Sequence, residues 1–165
     1  GPEPGKYDFS SVRLLGSVVE SIIPQAWKWQ LPLQVSYTFT DTEMKNEFYS
    51  SAWGQVYPGD ELPYIYRHTL NAQLGIEYRG WEANLTMRYN GAMRTQPGQG
   101  QLAELHQIPA HTILDASIKV QVNKHLTLTA NAVNLMNKAY LTSRHPAGLR
   151  AGHPFGIYGG FRLSL

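Results

Sequence analysis

Cysteine is absent from this 165-residue chain, which excludes disulfides and thiolate metal sites. Charge is scarce as well. Charged residues make up 16% of the chain, against about a quarter in an ordinary soluble domain. No run approaches the roughly 18 apolar residues of a membrane-crossing helix. There is no basic block: 14 basic and 12 acidic residues are scattered, for a net charge of +2, and nothing points to nucleic acid. The opening Gly1-Pro2-Glu3-Pro4-Gly5 lacks the basic and apolar regions of a signal peptide. Catalytic signatures are missing too. Nothing like G-x-S-x-G or a nucleophile–base–acid set stands out, so neither an enzyme nor a cofactor is expected.

What the chain does have is alternation. Leu114, Ala116, Ile118, Val120 and Val122 are apolar, and the interleaved Asp115, Ser117, Lys119, Gln121 and Asn123 are polar. Leu70 to Tyr78 and Trp81 to Tyr89 repeat the pattern, and so does the run from Trp27 to Phe39. A further strand is expected through Leu126, Leu128, Ala130 and Ala132, with a bulge where its phase slips at Val133. Ile157, Phe161, Leu163 and Leu165 form the last strand, and Ser11 to Ile23 reads as an additional one at the start. Most approach the 9–11 residues of a tilted membrane strand. Lys28, Glu77, Arg79, Glu82, Arg88, Asp115 and Lys119 all fall on the polar parity. A basic residue on a lipid face costs about 2–4 kcal/mol near the midplane, so hydrocarbon would enforce this segregation. It also reconciles 42% apolar residues with a mean hydropathy of −0.33.

Connections alternate in length. Short ones lie near Pro24-Gln25, Arg79-Gly80 and Asn123-Lys124-His125. Long ones span about 42–67, 95–110 and 142–154. Bacterial barrels pair short periplasmic turns with long outer loops in this way. Trp27, Trp29 and Trp81 sit near short turns and Tyr37, Phe39 and Tyr89 toward long loops, like two interfacial girdles. The fold expected is all-β: an antiparallel transmembrane β-barrel segment of about seven strands. Two rivals share the alternation, a passive porin or adhesin barrel and a soluble β-sandwich binding module.

Three stretches carry a family resemblance. Tyr37-Thr38-Phe39-Thr40 is followed by Gly59-Asp60-Glu61-Leu62-Pro63-Tyr64. Leu114-Asp115-Ala116-Ser117 forms a late strand. Val133-Asn134-Leu135-Met136-Asn137-Lys138-Ala139-Tyr140 leads into Ser143-Arg144-His145-Pro146-Ala147-Gly148-Leu149-Arg150-Ala151-Gly152-His153-Pro154. Together they resemble the C-terminal end of TonB-dependent outer-membrane receptors of the ferric-dicitrate type. Tyr158-x-Gly160-x-x-Leu163-x-Leu165 is similar to the C-terminal signal of such barrels, which more often end in Phe. The resemblance implies that residues 1–165 are the last strands of a roughly 22-stranded barrel, without its plug domain and earlier strands.

It also implies partners: a ferric chelate such as ferric dicitrate or an iron–siderophore complex, the remaining strands and plug, and TonB through the missing N-terminal part. Outer-membrane lipid and lipopolysaccharide would surround the barrel. An anionic chelate needs cations and donors, and guanidinium binds carboxylates bidentately. The ligand candidates are Arg67, Arg94, Arg144 and Arg150, with Gln96 and Gln99. The competing expectation is that these arginines pair with loop acids such as Asp60, Glu61 and Glu104. His68, His106, His111, His145 and His153 show no metal-ligand spacing. Asn134 and Asn137 read as architectural, bonding backbone where pairing is interrupted. Seven strands would leave open edges, which lipid does not tolerate, so the outermost strands are expected to pair with strands outside this chain.

Overall fold

The computed structural model describes residues 29–144 and 148–164. The expected strand at Ser11 to Ile23, the turn at Pro24-Gln25, Trp27, Lys28, His145, Pro146 and Leu165 lie outside those residues. The first stave is in two pieces, β1 (Trp29–Gln30) and β2 (Leu33–Phe39). It is interrupted at Pro32, which has no N–H for the ladder but accepts from the Gly75 N–H at 2.8 Å. A ribbon of β3 (Phe48–Ser50) and β4 (Gly54–Val56) lies in the loop that follows. Next come β5 (His68–Tyr78) and β6 (Trp81–Asn90), then a second ribbon, β7 (Met93–Arg94) with β8 (Gln107–Ile108). After β9 (His111–Gln121) and β10 (Leu126–Val133), β11 (Leu141–Ser143) and β12 (Arg150–Ala151) form a third ribbon before β13 (Gly156–Leu163). The main sheet is one antiparallel meander in which β1 and β2 both pair with β5, followed by β6, β9, β10 and β13.

Register explains why these residues make this sheet. Leu33, Leu74, Leu85, Ala116, Ala132 and Ile157 stand in one row across all six staves. Parallel rows on the same face include Val35–Ala72–Met87–Leu114 and Tyr78–Trp81–Val120–Leu128–Phe161. The opposite face carries Gln34–Gln73–Thr86–Asp115 and Ser36–Asn71–Arg88. A slip of one residue in any stave would exchange the faces, so the pattern pins the register. Each opposed pair contributes roughly 0.2–1 kcal/mol.

The core does not lie on the sheet. Leu74, Leu85 and Trp81 are 51%, 44% and 55% exposed on the apolar face. The buried hydrophobics are Met44, Val56, Met93, Ile108 and Ile113, all in or beside the long loops. A β-sandwich would cover its apolar face with a second sheet. Among the described residues nothing does so.

Two expectations need correction. The short turn expected near Arg79-Gly80 is there, but Arg79 belongs to it and not to the polar face of a strand. Arg79 and Gly80 both have positive φ, 45° and 85°, and make the two-residue turn between β5 and β6. The turn releases the Arg79 guanidinium, which lies 5.2 Å from the centre of the Tyr78 ring. Nor is there a bulge after Ala132. The β10–β13 register runs unbroken to Val133↔Gly156, and the chain leaves the ladder at Asn134, whose φ is 48°. The apparent phase slip is the strand's end.

Candidate functional site

The three long loops meet at one end of the sheet and are tied to one another. The turn Tyr57-Pro58-Gly59-Asp60 is closed by Asp60, whose carboxylate accepts from the Tyr57 N–H at 2.9 Å. Gly59, at φ 91°, supplies the left-handed step and donates to the Met44 carbonyl at 2.8 Å. The neighbouring Glu61 then bridges to the second loop: its N–H meets the Gly98 carbonyl at 3.0 Å. The Tyr64 N–H donates to the Arg94 carbonyl at 2.8 Å. The Gly59-to-Tyr64 element is thus a hinge plate between two loops.

Arg94 lies beneath that plate. Its side chain is only 10% exposed, and its Nε donates to Glu61 Oε2 at 2.9 Å. Its Nη2 donates to the Gly100 carbonyl. Arg67 is half exposed, pairs with Asp41 at 2.8 Å and approaches Glu61 Oε1 at 3.8 Å. Its guanidinium lies 5.7 Å from the centre of the Phe39 ring. These charges and Thr42 surround a cavity of about 210 Å³ between the first two loops. Gln99 Nε2 donates to the Pro58 carbonyl at 3.1 Å and to Asp60 at 3.3 Å.

The third loop joins through Arg144, whose Nε donates to the Gln107 carbonyl of β8 at 2.8 Å. It also joins through rings. His111, 4% exposed, stacks on Tyr140 at 4.7 Å and meets Tyr66 edge-on at 5.9 Å. Burial pushes the Tyr66 hydroxyl above its ordinary value of 10.0, and the nearby Tyr140 adds to it. His111 Nδ1 meets the Pro109 carbonyl at 3.2 Å and Nε2 meets the Asn90 amide at 3.3 Å, so both ring nitrogens have a partner.

Asn134 is the anchor of the third loop. It is 1% exposed and every polar group it has is used. Its N–H donates to Asp115 Oδ1 at 2.8 Å and its carbonyl accepts from the Asn137 N–H at 2.8 Å. Its Nδ2 donates to the carbonyls of Lys138 and His153, each at 2.9 Å, and its Oδ1 accepts from the Lys138 N–H at 2.9 Å. Nothing remains for a ligand.

On the polar face of the sheet, Arg88 pairs with Asp115 at 2.6 Å and Lys119 with Glu82 at 2.6 Å. Both pairs cross neighbouring strands, as the alternation requires. Glu77 stands directly opposite Glu82.

The six ligand candidates therefore separate. Arg67, Arg94 and Gln99 come together around the first two loops, already engaged by acids or carbonyls. Arg144 is a strut. Gln96 and Arg150 are exposed, and among the described residues no partner meets their side chains. Glu61 is the expected arginine partner among the loop acids. Asp41 as the partner of Arg67 and the Tyr66–His111–Tyr140 stack were missed, since no local spacing gives a signal for them. The histidines do not converge, and no group of three metal-ligating His, Cys, Asp or Glu residues occurs among the described residues.

Comparisons with known proteins agree with this architecture. A family model described as TonB dependent receptor-like, beta-barrel, matches residues 10–135. The siderophore receptor PiuA from Acinetobacter baumannii superposes with a TM-score of 0.63 at 19% identity, over 82% of this chain and 19% of that one. The ferric-catecholate import receptor Fiu from Escherichia coli K12, in its closed form, gives 0.63 at 22% identity, over 88% and 19%. The chain thus spans about a fifth of the length of these receptors, and identities this low speak for the fold alone. Acetyl-coenzyme A synthetases also match briefly. Those of Deinococcus radiodurans and Nitrosomonas europaea are 65% and 69% identical over 26 residues, 16% of this chain and 4% of theirs. A piece that short is below the size of a domain and carries neither fold nor function.

Proposed function

Since the chain belongs to the TonB-dependent receptor β-barrel family, we propose that it is the C-terminal wall of an outer-membrane receptor that imports a ferric chelate. The observation that carries this reading is the two-faced meander. Two of its apolar rows run unbroken across six staves, and its buried core lies in the loops at one end. Such a face suits hydrocarbon, and the polar face suits a plug-filled lumen. From Leu70 to Tyr78 the apolar rows extend over eight residue steps. At about 3.3 Å per residue and a tilt near 40° they span roughly 20 Å, close to the apolar band of such barrels.

The girdles support the same orientation. Trp29 stacks on Tyr78 at 4.0 Å beside Trp81, at the short-turn end. Tyr37, Leu70 and Tyr89 share a row near the loops, and Phe39 stands opposite His68 in the next row out. On this reading the long loops face outward. There Arg67, Arg94, Gln96, Gln99, Arg144 and Arg150 offer donors for an anionic chelate, with Arg150 and Gln96 the most available. The first and last strands of the segment, of which β13 is the last, pair with strands outside this chain, since open edges do not survive in lipid. The plug and the TonB contact belong to the missing part. The sequence resemblance favours ferric dicitrate as the cargo.

The test is the native species extracted in detergent. Its intact mass and the masses of its denatured chains are measured first, followed by binding of ferric dicitrate and of a ferric catecholate. A species with a plug-bearing partner or extension that binds ferric dicitrate is the expected result. Binding of the catecholate alone would keep the import function and change its cargo. A monomer that is folded and soluble without detergent would sink the reading.

A further inference from the structure

We propose that the cavity between the first two loops is a carboxylate-binding site occupied by the protein's own Glu61, which a carboxylate arm of an anionic ligand displaces. This rests on the ferric-chelate reading of the loop end and deepens it. The geometry is that of a bound carboxylate. One oxygen of Glu61 meets Arg94 Nε at 2.9 Å, and the other faces Arg67 Nη1 at 3.8 Å. Two guanidiniums converging on one carboxylate is an arrangement that an incoming carboxylate can reproduce.

Both arginines are held independently of Glu61. Arg94 also donates to the Gly100 carbonyl, and Arg67 is fixed by Asp41 at 2.8 Å and by the Phe39 ring. Removing the Glu61 carboxylate therefore leaves a preformed pair of donors. The Glu61 side chain can leave, because it is 32% exposed while its backbone stays pinned to Gly98. Departure is a rotamer change, without unfolding of the loop.

Size and charge define the occupant. About 210 Å³ is below the roughly 300–1,000 Å³ of a small-molecule pocket, so the cavity admits one arm of a larger ligand. Asp41 and Glu61 balance Arg67 and Arg94 while Glu61 is in place. With Glu61 swung out, the site carries one net positive charge and selects an anion. The latch makes binding competitive with an internal carboxylate, so it lowers affinity for every acid that offers a single weak arm.

The experiment titrates free citrate and ferric dicitrate into the native detergent-extracted protein at low ionic strength. It compares the wild type, Glu61→Gln, Glu61→Asp and the double variant Glu61→Gln/Arg94→Gln. Gln keeps an oxygen for Arg94 Nε but removes the competing charge. Glu61→Gln is expected to bind free citrate about three- to tenfold tighter. Glu61→Asp, with a shorter reach, is expected to gain less. The double variant is expected to lose the gain. Equal or weaker citrate binding by Glu61→Gln overturns the proposal and leaves Glu61 a strut between loops. If Glu61→Gln disturbs the loop, Glu61→Asp decides with the same sign. The two readings fail separately. A wild type that binds no ferric chelate while Glu61→Gln gains citrate affinity removes the import reading and keeps the latch. Ferric-chelate binding with no gain does the reverse.

Discussion

Leu85 and Thr86 are neighbours on β6 that point to opposite faces, and arginine at each should have very different consequences. Leu85 lies four residues from Trp81 and four from Tyr89, in the row that runs from Leu33 to Ile157. Four residues at about 3.3 Å, tilted by about 40°, place it roughly 10 Å from either girdle, at the middle of the apolar band. Leu85→Arg should therefore cost about 2–4 kcal/mol. Thr86 is flanked by Gln73 and Asp115 on the polar face. Thr86→Arg gains a carboxylate neighbour and should cost less than about 0.5 kcal/mol. The assay is denaturant-induced unfolding of the native species in lipid vesicles, followed by tryptophan fluorescence. Equal costs for the two variants would refute the assignment of faces, since membrane depth would then play no part.

Other consequences follow from the loop end. Asn134→Ala strips three buried partners at about 1 kcal/mol each and adds a left-handed penalty of about 1–2 kcal/mol, for a total near 4. Asn134→Gly should recover only the conformational part, so Ala and Gly variants of equal stability in the same titration would contradict this account. Gly152→Ala places a methyl group on the Tyr140 ring and should cost about 1–3 kcal/mol, a cost that should vanish when the same change is made in a Tyr140→Ala background. The raised Tyr66 hydroxyl means that its stabilising contribution is complete below about pH 10 and is lost as pH rises through the folded value. Tyr66→Phe should flatten the alkaline limb of the stability–pH curve, and an unchanged limb would mean that another group titrates there.

The sheet was legible because its code is local. Alternation over eight or more residues admits one register, and Gly80 marks its turn by chemistry alone. The gap at Pro32 was legible in principle, since proline cannot donate to a ladder, yet the run from Trp27 to Phe39 hid it by keeping its period. Where the reading failed, local and tertiary signals conflicted. Val133 and Leu135 looked like a phase slip within a strand. The left-handed Asn134 between them ends the strand, and its reason lies in partners as distant in sequence as Asp115 and His153. Arg79 looked like a strand residue because parity alone does not locate a turn's first position. The roles of the loop arginines were out of reach for the same cause. Which acid meets Arg94 depends on how two loops dock, and 33 residues separate it from Glu61.

That division has a physical origin. The sheet face answers to its solvent, so many sequences satisfy it provided apolar and polar residues keep their parity. Ala116, Ala132 and Ile157 share a row with three leucines without individual necessity. The loop end answers to donors and acceptors matched one by one, because an unpaired buried polar group costs more than a bond contributes, and among the described buried side chains Thr95 Oγ1 alone lacks a partner. Asp60, Arg94 and Asn134 are buried polar residues of this kind, each with side-chain bonds to backbone groups in the loops. It follows that substitutions on the sheet should grade smoothly with polarity and depth, while those in the loops should act as discrete losses. The Glu61 carboxylate is the exception that marks function. It is a charge shared by two arginines that each keep a second partner, so a ligand carboxylate can take its place.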